Sequence, residues 1–185
     1  DESNQGLAEC EARSSLASHL AHKWGSARAD VSPDEVAMAS LLAEVGELLL
    51  WSVAPELPLA ALEAQHSGHS LRSLQAQVDT CGFRFKDLTL KCAAVWHLPP
   101  LLTQLIRGID NTRANLSRLC IDTARHLSGG GPGDPALPSD IADAKNIIHG
   151  ASLEWLTEQL PDLDEEQVAS IVAKAGELLA ARQQP

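Results

Sequence analysis

The side chains best suited to chemistry in this sequence are its histidines and carboxylates, and their spacing invites a metal first. His19 and His22 stand three apart in a helical stretch, and His66 and His69 stand three apart near a turn. That separation can set two imidazoles on one ion, but a structural zinc needs two more ligands and no cysteine lies near either pair. Solvent-facing histidines are therefore expected. Glu63 with His66 makes Glu-x-x-His, the spacing used in di-iron bundles, yet the second copy that such a centre requires is missing. Gly129–Gly133 is rich in glycine but follows a helix, lacks a lysine and contains Pro132, which describes a linker and not a phosphate cradle. There is no serine nucleophile elbow and no dinucleotide fingerprint. Arg84, Lys86 and Lys91 can hold an anion, although a solvated helix start with its aliphatic stems laid on the core is the plainer expectation. Trp24, Trp51, Trp96 and Trp155 are scattered and mostly flanked by apolar residues. They read as core or partner-contact anchors, not as a stacking platform for bases.

The elements that must position these groups are helical nearly throughout. Leu16, Leu20 and Trp24, with Ala17 and Ala21, form an i, i+4 stripe that Gly25 can end. Ser32-Pro33-Asp34-Glu35 starts the next helix, with Ser32 as cap, Pro33 in the first position and Glu35 closing a capping box. That helix runs to about Val53 and is apolar around much of its circumference, as a central core helix should be. Further helices are expected over residues 59–66, 71–80, 86–97 and 112–127, with a short one restarting after Pro99-Pro100, since neither proline can donate to a helix ladder. Past a Gly/Pro linker, helices are expected over 140–149, 153–159 and 165–181, the last capped by Asp164 with Gln167 in the reciprocal position.

Composition narrows the functional classes. The chain has 185 residues with a formal charge of −11, enough for one helical domain with a full core. Residues 1–71 hold eleven acids and three bases, 72–127 hold eight bases and four acids, and 139–185 hold nine acids and three bases. An acidic total argues against nucleic-acid binding, which needs a concentrated cationic surface. No apolar run approaches the eighteen or so residues that span a bilayer, so no membrane association is expected. Cys10, Cys81, Cys92 and Cys120 lie far apart with no Cys-x-x-Cys pair, which suits four free thiols in a reducing cytoplasm. The absence of an initiator methionine suggests a piece cut from a longer protein.

Three features carry a resemblance. Leu41-Leu42-Ala43-Glu44-Val45-Gly46-Glu47 is similar to the Leu-Leu-His-Asp-Ile-Gly-Lys pattern of HD-superfamily phosphohydrolases. Ala94-Val95-Trp96-His97-Leu98-Pro99 is similar to a Trp-x-Leu-Pro element, and Leu102–Ile106 follows at matching spacing, then a helix with a small residue at Ala124. In this order, over about residues 14–127, they resemble the HDOD domain, a branch of the HD superfamily found in bacterial signalling proteins.

The resemblance implies an all-α, HD-like multi-helix bundle at 1–128; the Gly/Pro composition sets a linker at 129–138, and the helical patterning beyond it a C-terminal helical extension at 139–185. The chemistry of the superfamily does not carry over. Ala43 and Glu44 stand at the His-Asp pair, Phe85 stands near a position where many relatives have histidine, and Ile109-Asp110 stand where relatives often show His-His. Hydrolysis by that superfamily requires imidazoles and carboxylates converging on metal. No catalytic, cofactor-binding or metal residue is therefore expected, and no cofactor. The implied role is a non-catalytic bacterial signal-transduction module that relays or scaffolds through contacts with receiver, sensor or effector domains. The alternatives are a metal-dependent nucleotide phosphohydrolase or phosphodiesterase with a rearranged site, or a nucleotide-sensing domain using a vestigial cleft near Ala43, Glu44 and Arg84. Oligomeric state is not indicated, nor is whether residues 139–185 pack on the bundle or exchange between subunits.

Overall fold

The computed structural model describes residues 1–68 and 72–184. The chain is all-α, and no strand occurs among the described residues. In chain order the helices are α1 Glu2–Ser26, α2 Pro33–Leu42, α3 Val45–Val53, α4 Glu56–His66, α5 Ser73–Cys81, α6 Phe85–Val95, α7 Pro100–Ile106, α8 Thr112–Gly130, α9 Leu137–Ile147, α10 Leu153–Glu158 and α11 Glu165–Arg182. The expected start at Leu71 and the histidine at 69 lie outside the described residues.

α1 is longer than its apolar stripe announced. Its inward face is Gly6, Cys10, Ser14, Ala17, Leu20, Ala21 and Trp24, a row of mostly small residues that lets α2, α3 and α8 pack closely along it. Gly25 does not end the helix, which continues to Ser26. Its missing side chain instead makes room for α2, since a Cβ there would stand 3.0 Å from Val36 Cγ2. At the start of α2, Ser32 Oγ accepts from Glu35 N at 3.4 Å, but the expected reciprocal bond from Glu35 is absent. The Glu35 carboxylate pairs with Arg113 of α8, both oxygens at 3.1 Å. The capping box at Asp164 and Gln167 does form, with bonds of 2.9 and 2.8 Å.

The stretch Pro33–Val53 corrects two expectations. It is two helices, not one, broken at Ala43-Glu44. It is also long and apolar enough, by length and composition, to cross a membrane, over 21 residues. In this fold it carries the buried Glu44 inside its break and packs against α1, α6 and α8.

One hydrophobic cluster runs from Trp24 and Val36 through Leu102 and Leu116 to Leu137, Ile141, Leu156 and Ile171. The C-terminal helices therefore pack on the same core as the N-terminal ones within one chain. Trp24 Nε1 donates to the Leu156 carbonyl at 3.1 Å, tying α1 to the end of α10, and Arg28 Nη1 donates to the Ile147 carbonyl at 2.6 Å. The glycine stretch is a tight connection: α8 extends to Gly130, and Gly131–Gly133 forms a single 3₁₀ turn before α9. A smaller cluster of Leu50, Ala61 and Phe85 sits beneath the α4–α5 hairpin.

Across the α8–α9 turn, His126 Nδ1 lies 2.7 Å from Asp140 Oδ2, and Asp140 is buried. Burial pushes the Asp140 carboxyl up to about 6, with the His126 bond pulling it back and Asp122 and Asp143 adding repulsion. A carboxyl whose folded pKa is raised favours the fold while protonated, so its contribution is full below the ordinary value and is lost as pH rises through about 6. Urea titrations from pH 4 to 7 should show stability falling by about 2 kcal/mol through this window. Asp140→Asn should flatten that slope.

Candidate functional site

The site forms where α2 gives way to α3. Glu44 takes φ −108° and ψ 21°, outside the helix on either side. The cause is tertiary. Gly46 N–H donates to Thr89 Oγ1 of α6 at 3.1 Å, and a Cβ on Gly46 would stand 2.7 Å from the Phe85 carbonyl oxygen and 2.8 Å from Thr89 N. Only glycine lets α3 and α6 approach this closely. Gly46→Ala must push two backbones apart, and thermal or denaturant unfolding should show a loss of about 2 kcal/mol.

The break aims Glu44 between two arginines from distant parts of the chain. Arg125 of α8 donates Nη2 and Nε to Glu44 Oε1 at 2.7 and 3.0 Å. Arg13 of α1 places Nε 3.4 Å from Glu44 Oε2 and donates Nη2 to Glu47 Oε1 at 3.3 Å. The Arg13 Nε contact is an ion pair without hydrogen-bond alignment, and that buried atom is otherwise unpartnered. Trp51 Nε1 donates to Glu47 Oε1 at 3.2 Å, with its ring packed on Gly6. The Glu44 side chain is 8 % exposed, Arg13 22 % and Arg125 53 %. Burial pushes the Glu47 carboxyl above the usual carboxylate range and Glu44 adds repulsion, partly offset by Arg13 and Trp51. Burial also pushes the Cys10 thiol up, reinforced by both glutamates.

Arg13, Glu44, Glu47, Trp51 and Arg125 line a cleft of about 560 Å³ together with α4 residues such as Pro58 and Leu62 and with Gln77 of α5. A second cleft of about 340 Å³ opens towards α6, α7 and α8. The two share Glu44, Glu47, Ser73, Gln77, Phe85 and Arg125.

Cys10, Glu44 and Glu47 place one donor atom each within 4.8 Å of the others, which is close enough to ligate an ion. The electrostatics oppose it. Both carboxylates already neutralise guanidinium groups, and the buried thiol is held towards its protonated form, whereas a metal needs thiolate and free carboxylate. The residues at the other ligand positions do not help. Ala43 is a buried methyl, Phe85 a buried ring, Ile109 is 48 % exposed, and Asp110 is exposed and accepts from Asn115 at 2.7 Å. The residues present do not fit the metal centre of HD hydrolases.

The remaining candidates fall elsewhere. His19, His22, Glu63 and His66 are exposed, and His22 lies 3.3 Å from Asp34. Arg84 pairs with Asp87 at 3.1 Å and lines neither cleft; the cations around Ala43 and Glu44 are Arg13 in the larger cleft, Lys86 and Arg118 in the smaller, and Arg125 in both. Lys86 lines the second cleft, while Lys91 is exposed. Trp24 and Trp51 are buried, Trp155 is half-buried, and Trp96 is 51 % exposed. Arg13 and Arg125 stand in no sequence motif, while Cys10, Glu47 and Trp51 enter the sequence reading only as a free thiol, a residue of the motif frame and a core or partner anchor. One signal was present: Glu44 and Glu47 are the only charged residues between Val36 and Val53.

The HDOD domain family matches residues 7–112, and the chain belongs to that family. It is accordingly a signalling-related, HD-like helical module. The match begins earlier in α1 than the motifs suggested and ends at the start of α8, leaving Arg125 beyond it. No curated protein and no solved structure matches the chain.

Proposed function

We propose that this chain is a non-catalytic signal-transduction module of a bacterial cytoplasm, working by contact with receiver, sensor or effector domains and not by nucleotide hydrolysis. The observation that carries this reading is the ion-pair cluster at the family's His-Asp position. There, Ala43 offers no ligand and Glu44 is held by Arg13 and Arg125. Guanidinium groups supply positive charge but cannot lower the pKa of a bound water as a metal does.

An outward feature supports contact as the mode of action. Val95 is 71 % and Trp96 51 % exposed at the α6–α7 corner. The corner is stiff, because Leu98 N–H donates to the Ala93 carbonyl at 3.0 Å, His97 takes φ 52°, and Pro99-Pro100 follow. A tryptophan held rigidly in solvent is the residue type that most often anchors a partner.

The test is a phosphodiesterase assay of the full chain on cyclic nucleotides and on bis(p-nitrophenyl) phosphate with added manganese. No turnover is expected. Turnover that chelator abolishes would overturn the reading in favour of hydrolysis.

A further inference from the structure

We propose that the cleft beside Glu44 is a receptor for a phosphate group, free or carried as a monoester, in which the Glu44 carboxylate is the chain's own competitor for the arginines. This is independent of the contact reading above. Arg125 supports it most directly. Its side chain is 53 % exposed, it spends Nε and Nη2 on the single oxygen Glu44 Oε1, and its Nη1 donates no hydrogen bond among the described residues, lying 3.8 Å from Asp122. An open guanidinium edge of this kind matches two phosphate oxygens.

Further donors stand where the two clefts meet. Gln77 Oε1 accepts from Phe85 N at 2.8 Å, which fixes the amide and leaves its NH₂ without a partner among the described residues. The Ser73 hydroxyl lines the same junction, and Ser128 lines the larger cleft. Pro58, Ala61 and Leu62 give an apolar wall on which the body of an ester can rest.

The charge balance explains why Glu44 must yield. In the resting site Arg13 and Arg125 face Glu44, Glu47 and, 3.8 Å from Arg125 Nη1, Asp122, which leaves little attraction for a dianion. For a phosphate to enter, the Glu44 side chain, buried on the break between α2 and α3, gives up Arg13 and Arg125 and turns out to water. Glu47 keeps the hydrogen bonds it accepts from Arg13 and Trp51 beneath the ligand. Two guanidinium groups then meet one phosphate. The exchange trades one anion for another on the same cations, so affinity is set by the difference between them.

The experiment is calorimetric titration of the full chain at fixed ionic strength with phenyl phosphate and, separately, inorganic phosphate. Wild type, Glu44→Gln and Arg125→Gln are compared. Removing the competitor's charge should tighten phenyl phosphate binding by about tenfold, and removing the arginine should abolish it. Tighter binding of phenyl phosphate would identify a monoester, and equal binding free phosphate; both support a phosphate receptor. Unchanged affinity in Glu44→Gln, or binding that survives Arg125→Gln, would overturn the proposal. A second measurement needs no variant. In ¹⁵N spectra of the wild-type chain, phenyl phosphate should move the Arg13 and Arg125 Nε–H resonances and spare those of Arg84 and Arg113. Absence of any shift at Arg125 would overturn the proposal equally.

Discussion

Trp24→Ala should lower the stability of the whole chain by about 4 kcal/mol and do so in one cooperative transition. Trp24 is fully buried in the large cluster, so alanine leaves a cavity that α2 and α10 can close only in part. The substitution also removes the donor to the Leu156 carbonyl. That carbonyl lies 132 residues away in sequence, and its orphaning adds the cost of an unpaired buried acceptor. Urea unfolding followed by circular dichroism measures the loss. Residues 137–171 share the core with α1 and α8, so the C-terminal helices should melt with the rest and not before them. Trp24→Phe separates the two contributions, because it keeps most of the ring volume and loses the hydrogen bond.

Glu44→Ala should cost about 3 kcal/mol, the second largest effect, because it leaves a partly buried guanidinium without its main counter-charge. Arg13 is the group that suffers. It is 22 % exposed and has only Glu47 left as a partner. Arg125 is 53 % exposed and returns to water at little cost. Part of the loss is recovered, since Glu47 no longer feels the repulsion of Glu44. Glu44→Gln keeps an acceptor oxygen for Arg125 and should lose only about 1 kcal/mol. A ranking in which alanine and glutamine are equally harmless would mean that the ion pairs add nothing to the stability of the fold. Chemical denaturation of the two variants beside wild type decides this.

How much of this was legible depended on how local each cause is. The Asp164–Gln167 capping box and the restart of a helix after Pro99-Pro100 follow from neighbouring residues, and both stand in the fold. The break at Ala43-Glu44 does not, because it arises from Gly46 meeting Thr89 across 43 residues of sequence. Helical periodicity runs straight through it. The N-terminal half of α1 was underread for a different reason: its buried face is Gly6, Cys10 and Ser14, small residues that register as polar or neutral in a hydrophobic pattern.

The family frame and the loss of its chemistry were visible at Ala43 and Glu44, but the replacement was not. Arg13 and Arg125 come from α1 and α8, the second 81 residues from Glu44, and neither stands in any motif. Two carboxylates three residues apart inside an otherwise uncharged helical stretch were the one trace of it. A buried glutamate must find a cation, and among Arg13 and Lys23 of α1 and Arg113, Arg118 and Arg125 of α8 only the fold identifies which.

The central claim is that guanidinium groups, and not a metal, neutralise the carboxylates at the family's His-Asp position. Metal content measures it most directly. The full chain is incubated under anaerobic, reducing conditions with excess manganese, iron(II) or zinc, desalted, and analysed by plasma mass spectrometry. The account predicts far less than one ion per chain for each metal and an unchanged melting temperature. One or two tightly held ions per chain, lost in Glu44→Gln, would contradict it.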